Sequence, residues 1–368
     1  MNYQYYIYAF FTALAFSCLL TFLVRKLALK KGVIDRPEEA PSRKIQKKPI
    51  PLLGGLAVFV AFFATVLIFK EWILSDYILP KYLWGIFIGA ALLMLGGSLD
   101  DRYKLRAKWQ IIWPFLAVLF IIASGIGVSY ITNPFGDVIW LDQINFDVIS
   151  FGQTVYQFTL WADIFALIWL LGMMYTTKFL DGLDGLLSGI TVIGSAIIFF
   201  MSLAQDVSQP ATALISAILA GAAFGFLIFN WHPAKIFLGE GGSLFCGFML
   251  GILAIISGGK IATALLIMGI PILDVIWVII RRLFSQRGKV ASADRKHLHF
   301  RLLDVGLSHR GAVIFLYILT LIFGSTTLFF KGFDKLISLV VLAFFMIILG
   351  TVLVLVYKKK RSAGQTPS

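Results

Sequence analysis

Long apolar stretches, each about what a helix needs to cross a bilayer, recur down this chain and are separated by short polar connections. A window of roughly 20 apolar residues finds about eleven of them, starting near Tyr5, Leu52, Tyr82, Trp109, Leu160, Leu186, Ala211, Leu244, Ile261, Gly311 and Lys335. Backbone groups in lipid must be satisfied within their own segment, so helices are expected throughout. The expected fold is an all-α polytopic membrane protein with about 11 transmembrane helices. One domain should span residues 1–361, with a disordered tail over 362–368, SAGQTPS. A chain that is 59% hydrophobic and 14% charged excludes a soluble globular class. The first apolar run lacks a basic leader and a small-residue cleavage site, and Arg25 and Lys26 follow it, so it reads as a retained span.

Charge orients these spans. Alternate connections hold 27 of the 32 Lys and Arg residues, which places the N-terminus outside and the C-terminus in the cytoplasm of a cell membrane. The net charge of +13 is spread over short clusters between apolar spans, the pattern of topology signals and lipid or phosphate contacts, with no nucleic-acid surface. The clustered acids fall on the same, cytoplasmic, side. The longest outer connection, Asn133 to Phe158, alternates in IWLDQINFDVI and predicts a small extracytoplasmic β-hairpin. Cys18 and Cys246 lie in apolar stretches and form no disulfide framework. A homodimer is compatible with the sequence.

Chemistry-bearing residues gather at the inner ends. In KFLDGLDGLLSG, Lys178 to Gly189, Asp181 and Asp184 stand three apart, as do Gly182 and Gly185. If the segment opens a helix, the acids share a face and the glycines clear the backbone beside them. Magnesium is commonly held by one or two carboxylates plus substrate phosphate; helix capping by Asp is the competing reading. Asp100 and Asp101 end the third span in GGSLDDRYKLRAKWQ, where negative charge opposes the helix dipole and so points to use by a cation or substrate. Paired carboxylates there can hold a metal, or one can act as a base. In FNWHPAKIFLGEGGSLF, Glu240 sits among Gly239, Gly241 and Gly242, so that amides can face an anion and the acid a cation. His232 beside Pro233 reads as structural.

Basic segments complete the set. Arg43, Lys44, Lys47 and Lys48 precede Gly54 and Gly55 at the mouth of the second span, where they can meet a phosphate or serve only as positive-inside anchors. Asp274 lies within an apolar run, with Arg281 and Arg282 as candidates for an ion pair. Asp294, His297, His299 and Arg301 follow in a basic loop suited to a pyrophosphate. The two histidines are two apart and lack the HExxH frame, which argues against zinc.

In order, RKIQKKPIPLLGG, LDDR, FLDGLDGL, FNWHPAKIFLGEGGSLF, PILDVIW and HLHFRLL with GLSHR resemble the polyprenyl-phosphate N-acetylhexosamine-1-phosphate transferases, on the branch that initiates wall teichoic acid and lipopolysaccharide. The resemblance runs from about Arg43 to Arg310. It implies transfer of a sugar 1-phosphate from a UDP-sugar to a polyprenyl phosphate with Mg²⁺, or Mn²⁺ in its place, releasing UMP at the cytoplasmic face. It further implies that Asp100, Asp101 and Asp181 are catalytic and that Asp184 and Glu240 hold the metal. Asn230, Asp294, His297, His299 and Arg301 would serve the donor, and Lys44, Lys48 and Lys108 the acceptor. Five positions depart from the family pattern: Lys178 and Tyr175 stand where Asn is common, Glu240 where Asp is usual, Gln46 where His is common, and Phe300 for a third histidine. Those departures bear on donor choice more than on reaction class. The rivals are the related phospho-muramoyl-pentapeptide transferase, which shares the acid motifs, and an ion-coupled transporter. The transporter would spread its acids through the membrane depth.

Overall fold

The computed structural model describes residues 3–39, 46, 48–133, 136–151, 154–205, 207–257, 261–283 and 297–362. Helix α1 (Tyr3–Lys31) opens the bundle, followed by a two-residue strand pair, β1 (Ile34–Asp35) with β2 (Ile50–Pro51). Next come α2 (Gly54–Ile68), α3 (Lys70–Leu74), α4 (Pro80–Tyr103), α5 (Ala107–Gln110) and α6 (Ile112–Ser124). Strands β3 (Tyr130–Thr132), β4 (Val138–Trp140), β5 (Asn145–Phe151) and β6 (Thr154–Thr159) lead into α7 (Leu160–Leu180), α8 (Leu186–Leu203), α9 (Pro210–Asn230) and α10 (Gly239–Ile256). The chain closes with α11 (Ile261–Ile267), α12 (Gly269–Leu283), α13 (Leu298–Asp304), α14 (His309–Phe329) and α15 (Phe333–Ser362).

Nine described helices, with α5 and α6 counted as one, are long and apolar enough to cross a membrane, and α11 with α12 is apolar enough only as a pair, bent by 78°, that forms either a broken span or a re-entrant loop. The chain is a multi-pass membrane protein. The crossing expected near Leu52 folds as the 15-residue α2, which stops at Phe69. At 1.5 Å per residue it is about 22 Å long, short of a hydrocarbon core of about 30 Å. The outer connection also differs from expectation. It forms two antiparallel pairs, β3 with β4 and β5 with β6, in place of one hairpin. A bend over residues 141–144, where Asn145 Nδ2 donates to the Asp142 carbonyl at 2.9 Å, breaks the alternating run in two. Helix α15 runs on to Ser362, one residue into the expected tail, whose remaining residues lie outside those described.

Helix α10 is the hub. In its apolar window 89% of residues are buried, against 11% for the peripheral α15. Small residues let its neighbours approach backbone to backbone, since a Cβ on Gly55 would strike Gly242 and one on Gly97 would strike Gly241. These contacts bring α2 and α4 against the first turns of α10. Hydrogen bonds between helices reinforce the bundle in a medium without competing water. Trp169 Nε1 donates to the Gly251 carbonyl at 3.1 Å, and Ser17 Oγ to the Ala222 carbonyl at 2.6 Å.

Candidate active site

The same packing gathers the acids. Asp100 and Asp101 lie in the last turn of α4, Asp181 caps the end of α7, Asp184 sits in the turn before α8, and Glu240 is in the first turn of α10. All five line one cavity of about 580 Å³ at one end of the bundle. The DGLDG segment is a turn joining two helices and not the opening of one. Gly185 takes φ +79° to make the reversal, and Gly182 lies where any side chain would meet the His299 ring.

Asp101 explains an acid at an unfavourable helix end. Its Oδ1 accepts the Glu240 amide at 3.0 Å, so the carboxylate sits on the N-terminus of α10, where the dipole favours negative charge. Asp100 begins a chain of polar contacts across the cavity. Its Oδ1 accepts from the Leu105 amide at 2.8 Å and from Gln110 Nε2 at 2.9 Å. Lys178 Nζ donates to Gln110 Oε1 at 3.1 Å and reaches Glu240 Oε1 at 2.5 Å. Lys178 therefore ties the α4 acid to the α10 acid, and two departures from the family pattern, Lys178 and Glu240, meet in one ion pair.

Asp184 faces the loop between α9 and α10. Its Oδ2 contacts His232 Nδ1 at 2.7 Å and accepts the Ala234 amide at 3.0 Å. His232, read from the sequence as structural, lines the cavity and stacks on His309 with ring centroids 4.0 Å apart. Arg310 holds the loop by donating twice to the His232 carbonyl, at 3.0 and 2.8 Å. Asp184, His232 and His309 each offer a ligand atom within 4.8 Å of the others. Asn230 lines the cavity as a buried strut: its Oδ1 accepts from the Gly185 amide and Ser188 Oγ at 3.0 and 2.9 Å, and its Nδ2 donates to the Ile236 carbonyl at 2.9 Å.

Burial and crowding set the protonation of this site. Burial first, then the charges of Glu240 and Asp184, pushes the Asp181 carboxyl up to about 7. His299 is held down to about 4, chiefly by burial, and is neutral at physiological pH.

Other expected residues lie elsewhere. Lys48 and Lys108 are exposed and absent from the cavity wall; Lys108 lies over the Trp109 ring. Lys104 and Lys178 are the lysines that line it. His297 is buried and bonded through Nδ1 to Asp274 Oδ2 at 2.9 Å, and Asp274 Oδ1 accepts the Leu298 amide at 2.8 Å. The intramembrane acid is thus bonded to a histidine and to the N-terminus of α13. Arg301 lies on α13 outside the cavity wall. Lys44 and Asp294 fall outside the described residues. Gln110, Asp35 and His309 were not singled out from the sequence but line the cavity, and Gln46 Nε2 donates to Asp35 Oδ2 at 2.5 Å.

Known proteins are similar to this chain over most of its length. The model of "Glycosyl transferase family 4" matches residues 83–258, from α4 through α10. A "Probable undecaprenyl-phosphate N-acetylglucosaminyl 1-phosphate transferase" of Bacillus subtilis (strain 168) is 31% identical over 360 residues, covering 95% of this chain and 93% of that protein. A "Decaprenyl-phosphate N-acetylglucosaminephosphotransferase" of Mycolicibacterium smegmatis is 31% identical over 334 residues, 83% of this chain and 77% of its own. The "Undecaprenyl-phosphate alpha-N-acetylglucosaminyl 1-phosphate transferase" of Salmonella typhimurium is 28% identical over 312 residues, 81% and 77% of the two chains. Similarity that spans nearly the full length, and a family match over the segments that carry Asp100, Asp101, Asp181, Asp184 and Glu240, make this chain a member of glycosyl transferase family 4.

Proposed function

We propose that the chain transfers N-acetylglucosamine 1-phosphate from its UDP conjugate to a polyprenyl phosphate at the cytoplasmic face of the cell membrane. An oxygen of the acceptor phosphate attacks the sugar-bearing phosphorus, the bond from that phosphorus to the bridging oxygen of the donor diphosphate breaks, and UMP leaves with the bridging oxygen. The observation that carries this reading is the convergence of five carboxylates from separate segments on one membrane-end cavity that also holds Lys104 and Lys178. The relatives' names support the donor sugar and the acceptor. The charge bias of the connections supports the cytoplasmic side.

The donor set fits a hard divalent cation. Its acids offer oxygen ligands, and Asp181, pushed up to about 7 by burial first and then by the charges of Glu240 and Asp184, marks negative charge held out of water. Glu240 and Asp184, whose charges both reach Asp181, would hold Mg²⁺, and the same oxygen donors would suit Mn²⁺. When bound, the cation neutralises the donor diphosphate and the charge developing on UMP. Asp100, oriented by the Leu105 amide and Gln110, accepts any proton left on the acceptor phosphate and holds it in line. Lys104 and Lys178 reduce the repulsion between two anionic substrates. Lys48 and Lys108, exposed outside the cavity wall, would meet the acceptor on its approach, and Lys44 is assigned to the acceptor with them.

Purified protein given polyprenyl phosphate, Mg²⁺ and a panel of labelled UDP-sugars should make labelled lipid and UMP in equal amounts from UDP-N-acetylglucosamine. No UMP from any sugar, or a product only from UDP-muramoyl-pentapeptide, would remove this reading. Protonation of Asp181 near pH 7 competes with cation binding. Lowering the pH from 8 to 6 should therefore raise the Mg²⁺ needed for half-maximal UMP release about tenfold. A requirement independent of pH would take Asp181 out of the cation's surroundings.

A further inference from the structure

Asp274 is an acid that the transfer chemistry leaves over. It stands on α12, largely buried and outside the wall of the acidic cavity, and a carboxylate in an apolar run is unfavourable unless it is bonded there. Both of its oxygens are engaged by the start of α13: Oδ1 accepts the Leu298 amide at 2.8 Å and Oδ2 contacts His297 Nδ1 at 2.9 Å. His297 occupies the N-cap position of α13, but its own side chain makes no cap bond. Asp274, reaching over from another helix, caps α13 in its place.

Two residues on, α13 reaches the DGLDG turn. His299 is 2% exposed, and its ring lies so close to Gly182 that a Cβ there would strike Nε2. Gly182 sits between Asp181 and Asp184 in the chain. His299 Nε2 has no hydrogen-bond partner among the described residues, and an unbonded buried nitrogen is unfavourable, so the ring is held against the turn by its neighbours and not by a bond of its own. The His297 ring lies within 5° of parallel to it with centroids 5.8 Å apart, and Phe179 of α7 stacks on His297 at 5.7 Å and 17°. Asp274 fixes the middle ring of this row of three. We propose that Asp274 is a positioning residue for the transfer: by holding His297 and the first turn of α13, it keeps His299 pressed on Gly182 and so holds Asp181 and Asp184 where the cation and the donor need them. This inference rests on the transfer reading of the acidic cavity and adds to it a residue that touches neither substrate nor cation.

The test uses the full chain purified in a neutral detergent, with UMP release, Mg²⁺ titration and amide deuterium exchange as readouts. Asp274→Ala should lower kcat by about 10–10²-fold, the scale of a small misplacement of reacting groups. It should also raise the Mg²⁺ needed for half-activity several-fold and speed exchange over residues 181–186, with the melting temperature kept within a few degrees. Asp274→Asn, which keeps an oxygen for the Leu298 amide, should fall between wild type and Asp274→Ala. If Asp274→Ala does not fold, Asp274→Asn carries the test in the same directions. Wild-type kcat in the variants would overturn the proposal. So would a lowered kcat with the Mg²⁺ requirement and the exchange over 181–186 unchanged, since Asp274 would then support α13 alone. Absence of UMP release from wild-type protein would strike the transfer reading, whereas the exchange over 181–186 does not depend on turnover and would still decide whether Asp274 holds the turn.

Discussion

Asp184→Asn should reduce Mg²⁺-dependent UMP release by about 10²–10³-fold, the loss typical when one preorganised electrostatic group is removed from a reacting centre. The substitution keeps the shape and leaves an oxygen able to accept the Ala234 amide. It removes the charge that His232 faces and that burdens Asp181. A folding defect is separable, because Asp184 lies in a turn and not in the packed interior of α7 or α8. The variant should therefore retain its melting temperature within a few degrees while turnover collapses. Steady-state UMP release at saturating UDP-N-acetylglucosamine checks this, and wild-type turnover would remove Asp184 from the reaction.

Lys178→Met should lower kcat by about 10²-fold, with Lys178→Arg restoring part of it. Lys178 bonds both to Gln110, and through it to Asp100, and to Glu240. Without it, Asp100 loses the partner that fixes Gln110, and Glu240 keeps its burial without its direct counter-charge, a costly state for a desolvated carboxylate. Removing a cation beside the acids should not raise the Mg²⁺ required for half-activity. Parallel Mg²⁺ titrations separate these effects. Recovery of full kcat at high Mg²⁺ would show that Lys178 only screens the acids and does not organise them.

The apolar runs made the membrane class legible because each is too long and too uncharged to fold in water. That Asp100, Asp101, Asp181, Asp184 and Glu240 share one end was legible from their common side in the charge pattern. Their shared cavity depends on glycine contacts between α2, α4 and α10 that no local rule announces. His232 and His309 are 77 residues apart in number yet stack, and neither has a neighbouring partner in sequence that would mark it. Lys178 was visible as an oddity within KFLDGLDG, but its meaning needed Glu240 beside it. The short α2 escaped notice because the apolar run extends past both of its ends, through Leu52 and Leu53 before it and Phe69 after it.

The account rests on distant acids acting as one cation site. Electron paramagnetic resonance of Mn²⁺ titrated into the purified protein measures that directly. One Mn²⁺ should bind per chain, be displaced by Mg²⁺, and be lost in both Glu240→Gln and Asp184→Asn. Binding of undiminished affinity in both variants would contradict it.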